Sequence, residues 1–165
     1  MTYSSHYKSQ GVTLIELMIV LIIIAVAFTV GMPGISTMNA NTQADRLIEE
    51  LRLDIAFARN QSVSVAQQID MQPIGGNWST GWQIIQNSDN TVLRERGSVA
   101  SPVAENGTIT SPDFTNINSV SFDRKGRAVN TGSFNVLVTG CSGDRSYTLN
   151  VNQIGQLVVS EAACP

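Results

Sequence analysis

One long uncharged stretch constrains the fold of this chain more than any other feature of its sequence. The 28 residues between Glu16 and Asp45 contain no charged side chain, and the 21 residues 12–32 carry a single charge, that of Glu16. A helix rises about 1.5 Å per residue, so a helix of this length crosses about 30 Å of hydrocarbon. We therefore predict a membrane-spanning helix over residues 12–33.

A cleaved secretory signal peptide is the alternative interpretation of this run. Such a peptide has a basic start, a shorter apolar region and a cleavage site with small residues. The apolar run here is longer, and the segment Pro33-Gly34-Ile35-Ser36 that follows it offers no convincing cleavage site. The sequence therefore favours a retained apolar helix.

The charges on either side of the run predict its orientation. Residues 1–11 are polar and contain one lysine, Lys8, whereas no charge follows the run until Asp45. Positive residues favour the cytoplasmic side, so we expect a cytoplasmic N-terminus and a head domain on the far side of the membrane. Gly11 lies at the polar-to-apolar junction, where a residue without a side chain suits a protease working at the membrane surface.

Glu16 requires an explanation because a carboxylate in a spanning helix is costly. Insertion scales place the cost of such a charge at up to about 3 kcal/mol. In one interpretation, Glu16 lies close enough to the end of the run to reach the lipid headgroups. In the other, it pairs with a positive group, such as a free amino terminus made by cutting after Gly11.

The segment Gly11-Val12-Thr13-Leu14-Ile15-Glu16-Leu17 resembles the signature of type IV prepilins. This resemblance implies that prepilin peptidase cuts after Gly11, that the new N-terminus at Val12 is methylated, and that Glu16 guides assembly into a filament. Val12 departs from the family, which most often has Phe or Met at this position. Removal of residues 1–11 would leave a mature chain of 154 residues.

Beyond Gly34 the chain becomes amphipathic. Apolar residues recur at steps of three and four with charged residues between them, which predicts a helix with one buried stripe and a largely solvated opposite face. The stripe consists of Ala44, Leu47, Ile48, Leu51, Ile55 and Ala58. Proline removes a backbone donor and clashes with the preceding turn, so we expect a bend at Pro33 and Gly34, where pilins commonly kink this helix.

After about Ser64 the pattern changes to alternation with frequent turn residues, which predicts antiparallel strands with one buried face. Val63 and Val65 are expected to begin the first strand, and the polar stretch 98–116 to form a long loop or an irregular edge. The other expected elements are a hairpin with the loop Asn87-Ser88-Asp89-Asn90, a strand at Val120 and Phe122, the turn Arg124-Lys125-Gly126-Arg127, and strands at 134–138, 147–151 and 157–159.

These elements predict an α+β fold, in which a long bent N-terminal helix packs on a small antiparallel β-rich head, as in type IV pilins. The predicted division is a cleaved leader over residues 1–11, a transmembrane or filament-core helix over residues 12–33, and a periplasmic head over residues 34–165. The head includes the amphipathic half of the helix, and its strands are expected to form two small sheets.

Several head segments resemble a narrower group of pilins, the GspH/FimT/FimU group. The similar segments are Asp54–Ser62, the cluster of Trp78, Gly81 and Trp82 with Val92-Leu93-Arg94, and Phe122–Arg127. This resemblance implies a minor type IV pilin that helps to prime pilus assembly and is incorporated at or near the tip. The alternative within the same group is a minor pseudopilin of a type II secretion system.

A DNA-uptake pilin is a third interpretation. Some FimT-like proteins contact DNA through a Gly-Arg-x-Arg motif, but the matching segment here is Gly155-Gln156-Leu157-Val158, which lacks both arginines. Arg124, Lys125 and Arg127 nevertheless form a basic turn that could contact phosphate weakly. The mature chain would carry nine basic and thirteen acidic side chains, so its overall charge does not favour DNA.

Trp78 and Trp82 invite two interpretations. They could form an aromatic binding platform, but their position next to glycines favours packing in the core. Cys141 and Cys164 also have two interpretations, a disulfide or two buried thiols. The predicted topology places them in an oxidising compartment, which favours the disulfide.

The sequence offers little for catalysis. Its one histidine, His6, lies in the predicted leader, and the acids of the head form no recognisable catalytic pair. We therefore expect no enzymatic activity, no cofactor and no metal site. The cysteine spacing likewise fits no metal motif.

The resemblance to pilins also implies partners and a location. The partners are prepilin peptidase, other minor pilins, the major pilin and the inner-membrane assembly platform, whereas a homo-oligomer is not expected. The implied location is the bacterial inner membrane, with a single pass and a periplasmic head, and later the extracellular pilus.

Overall fold

The computed structural model describes residues 12–165, apart from the side chains of residues 29–34. The predicted leader therefore lies outside the described residues, and so does the cleavage residue Gly11. The side chain of Pro33 lies outside them as well, and the bend expected at Pro33 and Gly34 stays a prediction.

The chain divides into two compact units, Met1–Ile35 and Ser36–Pro165. The long helix α1 spans Leu14–Ser64 and contributes to both units. Within the described part of the chain, no helix is both long enough and apolar enough to cross a membrane. The span predicted over residues 12–33 includes residues whose side chains are not described, and it stays a prediction.

In the first unit, the described apolar side chains of α1 are exposed. Their exposed fractions include 77% for Leu14, 67% for Ile15 and 63% for Phe28. A contiguous apolar surface of this kind is typical of a contact with membrane or protein.

The amphipathic half of α1 forms the centre of the second unit. Ala44, Leu47 and Leu51 are fully buried, and Ile55 and Ala58 are as well. This confirms the predicted apolar stripe. Burying such a stripe stabilises the head because each large aliphatic side chain removed from water contributes about 1.5–3 kcal/mol.

In the part of the chain that the structure describes, eight strands form two antiparallel four-stranded sheets. The strands are β1 (Ile69–Pro73), β2 (Gly81–Gln86), β3 (Val92–Gly97), β4 (Gly107–Thr110), β5 (Val120–Phe122), β6 (Gly132–Val138), β7 (Ser146–Val151) and β8 (Leu157–Ala162). The first sheet has the order β3-β2-β1-β5, and the second has the order β4-β6-β7-β8. Two sheets on one helix confirm the predicted α+β architecture.

The second sheet shows the predicted alternation most clearly. Along β6 and β7, the buried residues are Phe134, Val136, Val138, Tyr147, Leu149 and Val151. The side chains between them are exposed or partly exposed, as expected of strands with one face on the core.

The end of α1 corrects one prediction. Val63 belongs to the helix and Val65 to the turn after it, so neither residue begins a strand. The helix α1 continues to Ser64, and the first strand starts at Ile69. Two hydrogen bonds close the helix, from Ala66 N to Val63 O and from Gln67 N to Ser62 O, with Ala66 in the left-handed conformation at φ 53°. This arrangement is a Schellman cap. Glycine usually fills that position, so alanine gave no warning of a helix end.

The polar stretch 98–116 is only partly irregular. It contains β4, which pairs with β6 from Gly107 opposite Val138 to Thr110 opposite Asn135. Ile109 is the buried side chain of this short strand. With a single apolar anchor and polar neighbours, the strand has too little alternation to be recognised from sequence.

Candidate functional site

The N-terminal end of α1 holds the first predicted functional residue, Glu16. Thr13 N and Thr13 Oγ1 both donate hydrogen bonds to Glu16 Oε2, at 3.0 and 2.9 Å, and Glu16 N donates to Thr13 Oγ1 at 3.3 Å. This reciprocal pattern is a capping box, and it satisfies backbone donors that the first helical turn leaves free. The Glu16 carboxylate is thereby fixed one turn from Val12.

The capping box leaves hydrogen-bond acceptor sites free on the Glu16 carboxylate. A carboxylate has room for about four hydrogen bonds, and Thr13 supplies two. An amino group from another chain could therefore bind the same carboxylate without displacing Thr13. The predicted roles of Gly11, Val12 and Glu16 stay predictions.

The two cysteines are joined. Cys141 and Cys164 form a disulfide with their Cα atoms 5.8 Å apart, which confirms the disulfide interpretation. The bridge ties the β6–β7 connection to the C-terminal tail beyond β8. Next to it, Asn41 of α1 accepts a hydrogen bond from Ser142 N at 2.9 Å.

A second helix residue, Asp45, binds the same end of the second sheet. It accepts a hydrogen bond from Tyr147 Oη and lies 3.2 Å from Arg145 Nε. We call these three residues the Asp45 cluster. Burial of the Tyr147 ring and its hydrogen bond to the Asp45 carboxylate raise the pKa of Tyr147 to about 12. About half of the Asp45 side chain is exposed, so solvent screens this cluster.

Nine residues further along α1, Asp54 is fully buried. Its carboxylate accepts hydrogen bonds from Trp82 Nε1 at 2.9 Å, Arg94 Nη1 at 2.7 Å and Arg96 Nε at 2.6 Å. We call these four residues the Asp54 cluster. It joins the helix to β2 and β3 of the first sheet.

Neighbouring groups complete the Asp54 cluster. The guanidinium of Arg94 stacks on Phe57 at 3.8 Å from the ring centroid, and Arg96 lies 3.6 Å from Glu50. Burial raises the pKa of Asp54, but the hydrogen bonds from Arg96, Arg94 and Trp82 outweigh it and hold the pKa below its usual value. The carboxylate therefore stays ionised inside the head.

The Asp54 cluster was not predicted from the sequence, in which the charges of the helix indicated a largely solvated face. Asp54 is the exception, and it lies beside the apolar stripe between Leu51 and Ile55. A charge next to that stripe was the available warning. Its partners are 28 to 42 residues away, so helix periodicity could not identify them.

Trp78 and Trp82 are packed in the core, as predicted. Trp82 is fully buried, and Trp78 is 4% exposed and donates a hydrogen bond from Nε1 to Phe114 O at 2.9 Å. Trp78 also contacts Phe134 edge to face, with ring centroids 4.8 Å apart. The alternative of an aromatic binding platform is therefore wrong.

The basic turn lies between β5 and β6. Arg124, Lys125 and Arg127 are exposed, and Arg127 Nη2 lies 3.1 Å from Asp123 Oδ2. Hydrogen bonds from the backbone amides of Arg127 and Lys125 hold the pKa of Asp123 below its usual value. The Asp123 carboxylate partly neutralises the turn, which makes contact with nucleic acid less favourable. Among the residues that the structure describes, no group of three acidic, histidine or cysteine side chains could hold a metal ion.

Comparison with known families gives two matches. Residues 47–155 match the family described as Type II transport protein GspH, and residues 7–32 match the prokaryotic N-terminal methylation motif. A comparison with curated proteins gave no match.

Two similar solved structures are crystal forms of the type IV minor pilin FimU from Pseudomonas aeruginosa strain PAO1. The form in space group P21 has a TM-score of 0.58 and 17% identity, over 72% of this chain and 89% of that chain. The form in space group P65 has a TM-score of 0.51 and 20% identity, over 70% of this chain and 91% of that chain. At these identities the similarity concerns the fold alone.

Proposed function

Because this chain belongs to the GspH family and carries the prokaryotic N-terminal methylation motif, we propose that it is a minor type IV pilin that helps to prime pilus assembly and is incorporated in or near the tip. Its fold is that of a type IV pilin of the GspH/FimT/FimU group. In this proposal, the first eleven residues are a leader that prepilin peptidase removes, and the new N-terminus at Val12 is methylated.

One observation carries the proposal. Glu16 is an acid in an otherwise aliphatic segment, and Thr13 fixes its carboxylate at the start of α1. Ionised groups in such a segment are costly unless they meet a partner. The amino terminus of a neighbouring pilin is a partner of the correct charge, and it exists only after cleavage. Pairing with this amino group during assembly would then offset the free energy that is needed to place the Glu16 carboxylate in an apolar environment.

The exposed apolar surface of the first unit is suited to two successive apolar environments, the membrane and the filament. Before assembly, it would hold the chain in the inner membrane, with the N-terminus in the cytoplasm and the head in the periplasm. After assembly, the same surface would pack against other minor pilins and the major pilin. Both environments are apolar, so the inner-membrane assembly platform could transfer the chain without exposing this surface to water.

The test uses the full-length protein in its own cells. We expect mass spectrometry to find a methylated Val12 at the mature N-terminus. We expect Glu16→Ala to be cleaved and inserted normally, but to fall at least about tenfold in the sheared pilus fraction. Glu105→Ala, which removes an exposed acid from a head loop, is the matched control and should be recovered like the unaltered protein.

Two results would contradict the proposal: a mature N-terminus at any other residue, or normal recovery of Glu16→Ala in pili. A second candidate function is a minor pseudopilin of a type II secretion system, which the description of the matched family favours. Copurification distinguishes the two, since the pseudopilin would be recovered with secretion subunits and would be absent from pili.

A further inference from the structure

The strand β8 differs from the other three strands that end the two sheets. The outer side of β5 is partly covered, because Phe122 of this strand pairs with Ala128. The outer side of β4 is partly covered as well, because the Ser79 hydroxyl accepts a hydrogen bond from Ile109 N and donates one to Ile109 O. The end strand β3 carries three consecutive charged residues, a common protection of sheet edges. β8 has six residues, none of them buried, and the sheet order gives it a neighbour on one side, β7.

The hydrogen-bond alternation determines which backbone groups of β8 face the open edge. Asn152 N donates to Gln156 O at 3.1 Å, so these opposite residues form a hydrogen-bonded pair. Such pairs alternate along antiparallel strands. The residues of β8 that bond to β7 are therefore Val158, Ser160 and Ala162. The residues whose N–H and C=O groups point to the open edge are Leu157, Val159 and Glu161.

A groove runs between this edge and α1. It has a volume of about 570 Å³, and its apolar lining includes Leu53 and Ala56 of the helix and Leu157 and Val158 of the strand. Leu53 is 55% exposed, although it lies in the part of α1 that carries the head. Open backbone donors and acceptors beside an apolar groove are the requirements for binding an added strand.

The rim of the groove is positively charged on balance. Arg52 and Arg59 line its helix side, where the one acid among the lining residues is Glu49, 3.5 Å from Arg52. Arg59 Nε donates a hydrogen bond to Gly126 O at 2.9 Å, which brings the basic turn to the same end. This charge favours an acidic occupant, because opposite charges guide and orient association.

We propose that an extended acidic segment of a neighbouring, non-identical pilin head adds to β8 as the fifth strand of the second sheet. Its backbone pairs with Leu157, Val159 and Glu161. Its apolar side chains cover Leu53 and Ala56, and its acidic side chains face Arg52. The proposal rests on the proposed function, since it supplies the contact that joins this head to the next subunit.

The sheet geometry argues against a second copy of this chain paired through β8. Two antiparallel β8 strands in one continuous sheet would be related by a two-fold axis perpendicular to the sheet. The amphipathic part of α1 packs along the face of this sheet, so the same axis would reverse the direction of one helix. Pilins anchored in one membrane have parallel helices, which is incompatible with that reversal.

The main test is Val159→Pro in the full-length protein. Proline removes the N–H that faces the open edge but spares the bonds between β7 and β8, and edge strands tolerate it. We expect the variant to reach normal levels and keep the Cys141–Cys164 disulfide, while its copurification with other minor pilins falls at least about tenfold. Val159→Thr keeps the N–H and the strand, and it should copurify normally. Arg52→Glu should weaken copurification severalfold.

A photo-crosslinking residue at position 159 identifies the occupant, and one at Val99, which is 76% exposed elsewhere on the head, is the control. We expect position 159 to crosslink to the head of a different pilin, and position 99 not to do so. Crosslinks to this chain itself would overturn the proposal, and so would normal copurification of Val159→Pro. If Glu16→Ala is excluded from pili while Val159→Pro is not, the edge proposal fails and the proposed function stands. If neither variant is impaired, both fail.

Discussion

Asp45 and Asp54 lie nine residues apart on α1, and each accepts hydrogen bonds from one sheet, but their surroundings differ. Asp54 is fully buried between the helix and the first sheet, whereas about half of Asp45 is exposed beside the second sheet. Both bind an aromatic donor, but Asp54 binds two arginines and Asp45 binds one. The two sites therefore differ in burial and in the number of partners, and both differences should make the attachment at Asp54 stabilise the head more.

Burial makes the Asp54 cluster costly to disturb. A buried carboxylate has lost its hydration, and its partners replace it, so removal of one member leaves the others without compensation. At Asp45, water can replace a lost partner, and exposed ion pairs contribute only about 0–1 kcal/mol. Both sheets bury an apolar face on the core. The attachment of the first sheet should depend in addition on Asp54, and that of the second on the disulfide.

The largest expected effect is that of Asp54→Ala. We expect the free energy of unfolding of the head to fall by about 3 kcal/mol, because Arg94, Arg96 and the Trp82 indole lose their shared acceptor. Urea unfolding of the protein in detergent, followed by tryptophan fluorescence, measures this change, since Trp82 belongs to the cluster. Asp45→Ala is the matched comparison and should lose about 1 kcal/mol or less. Equal losses in the two variants would refute the role of burial.

The two aspartates also illustrate which features of the fold could be predicted from the sequence. The apolar stripe of α1 and the alternation in β6 and β7 were predicted from local periodicity. The buried tryptophans were predicted from their position next to glycines, and the disulfide from the oxidising compartment that the topology implies. The burial of Asp54 was not, since it depends on two arginines that the β2–β3 hairpin places over the helix. The helix end was missed for a different reason, since Ala66 adopts a conformation that glycine normally signals.

The disulfide should produce the second largest effect, and its effect should fall on the other sheet. In the simplest model, a bridge across a loop of this size restricts the unfolded chain by about 3 kcal/mol. We expect the double variant Cys141→Ser, Cys164→Ser to lose up to that amount. Hydrogen exchange should show faster opening of β7 and β8, with β2 and β3 little changed. Equal loosening of both sheets would contradict independent attachment.

The third effect in size is the acid sensitivity of the Asp54 cluster. The pKa of Asp54 is lowered in the folded protein, so its contribution is complete above the ordinary pKa of about 4 and is lost as the pH falls through the lowered value. We expect the unfolding free energy of the unaltered protein to decline below about pH 4, and that of Asp54→Asn to decline less. Parallel pH profiles for the two proteins would show that this carboxylate is not held by its partners.

The smallest and most specific effect concerns Tyr147, which is the single tyrosine of a mature chain that begins at Val12. Its pKa is raised to about 12 in the folded protein, so its contribution to stability is complete below the ordinary pKa of about 10 and is lost as the pH rises toward 12. We expect the tyrosinate absorbance to rise near pH 12, and Asp45→Ala to lower that midpoint. Tyr147→Phe should cost about 1 kcal/mol at neutral pH, the usual contribution of one hydrogen bond. A midpoint near pH 10 in the folded protein would mean that solvent screens the Asp45 cluster too strongly for the cluster to hold the second sheet on the helix. The attachment of that sheet would then depend on its apolar face and the disulfide.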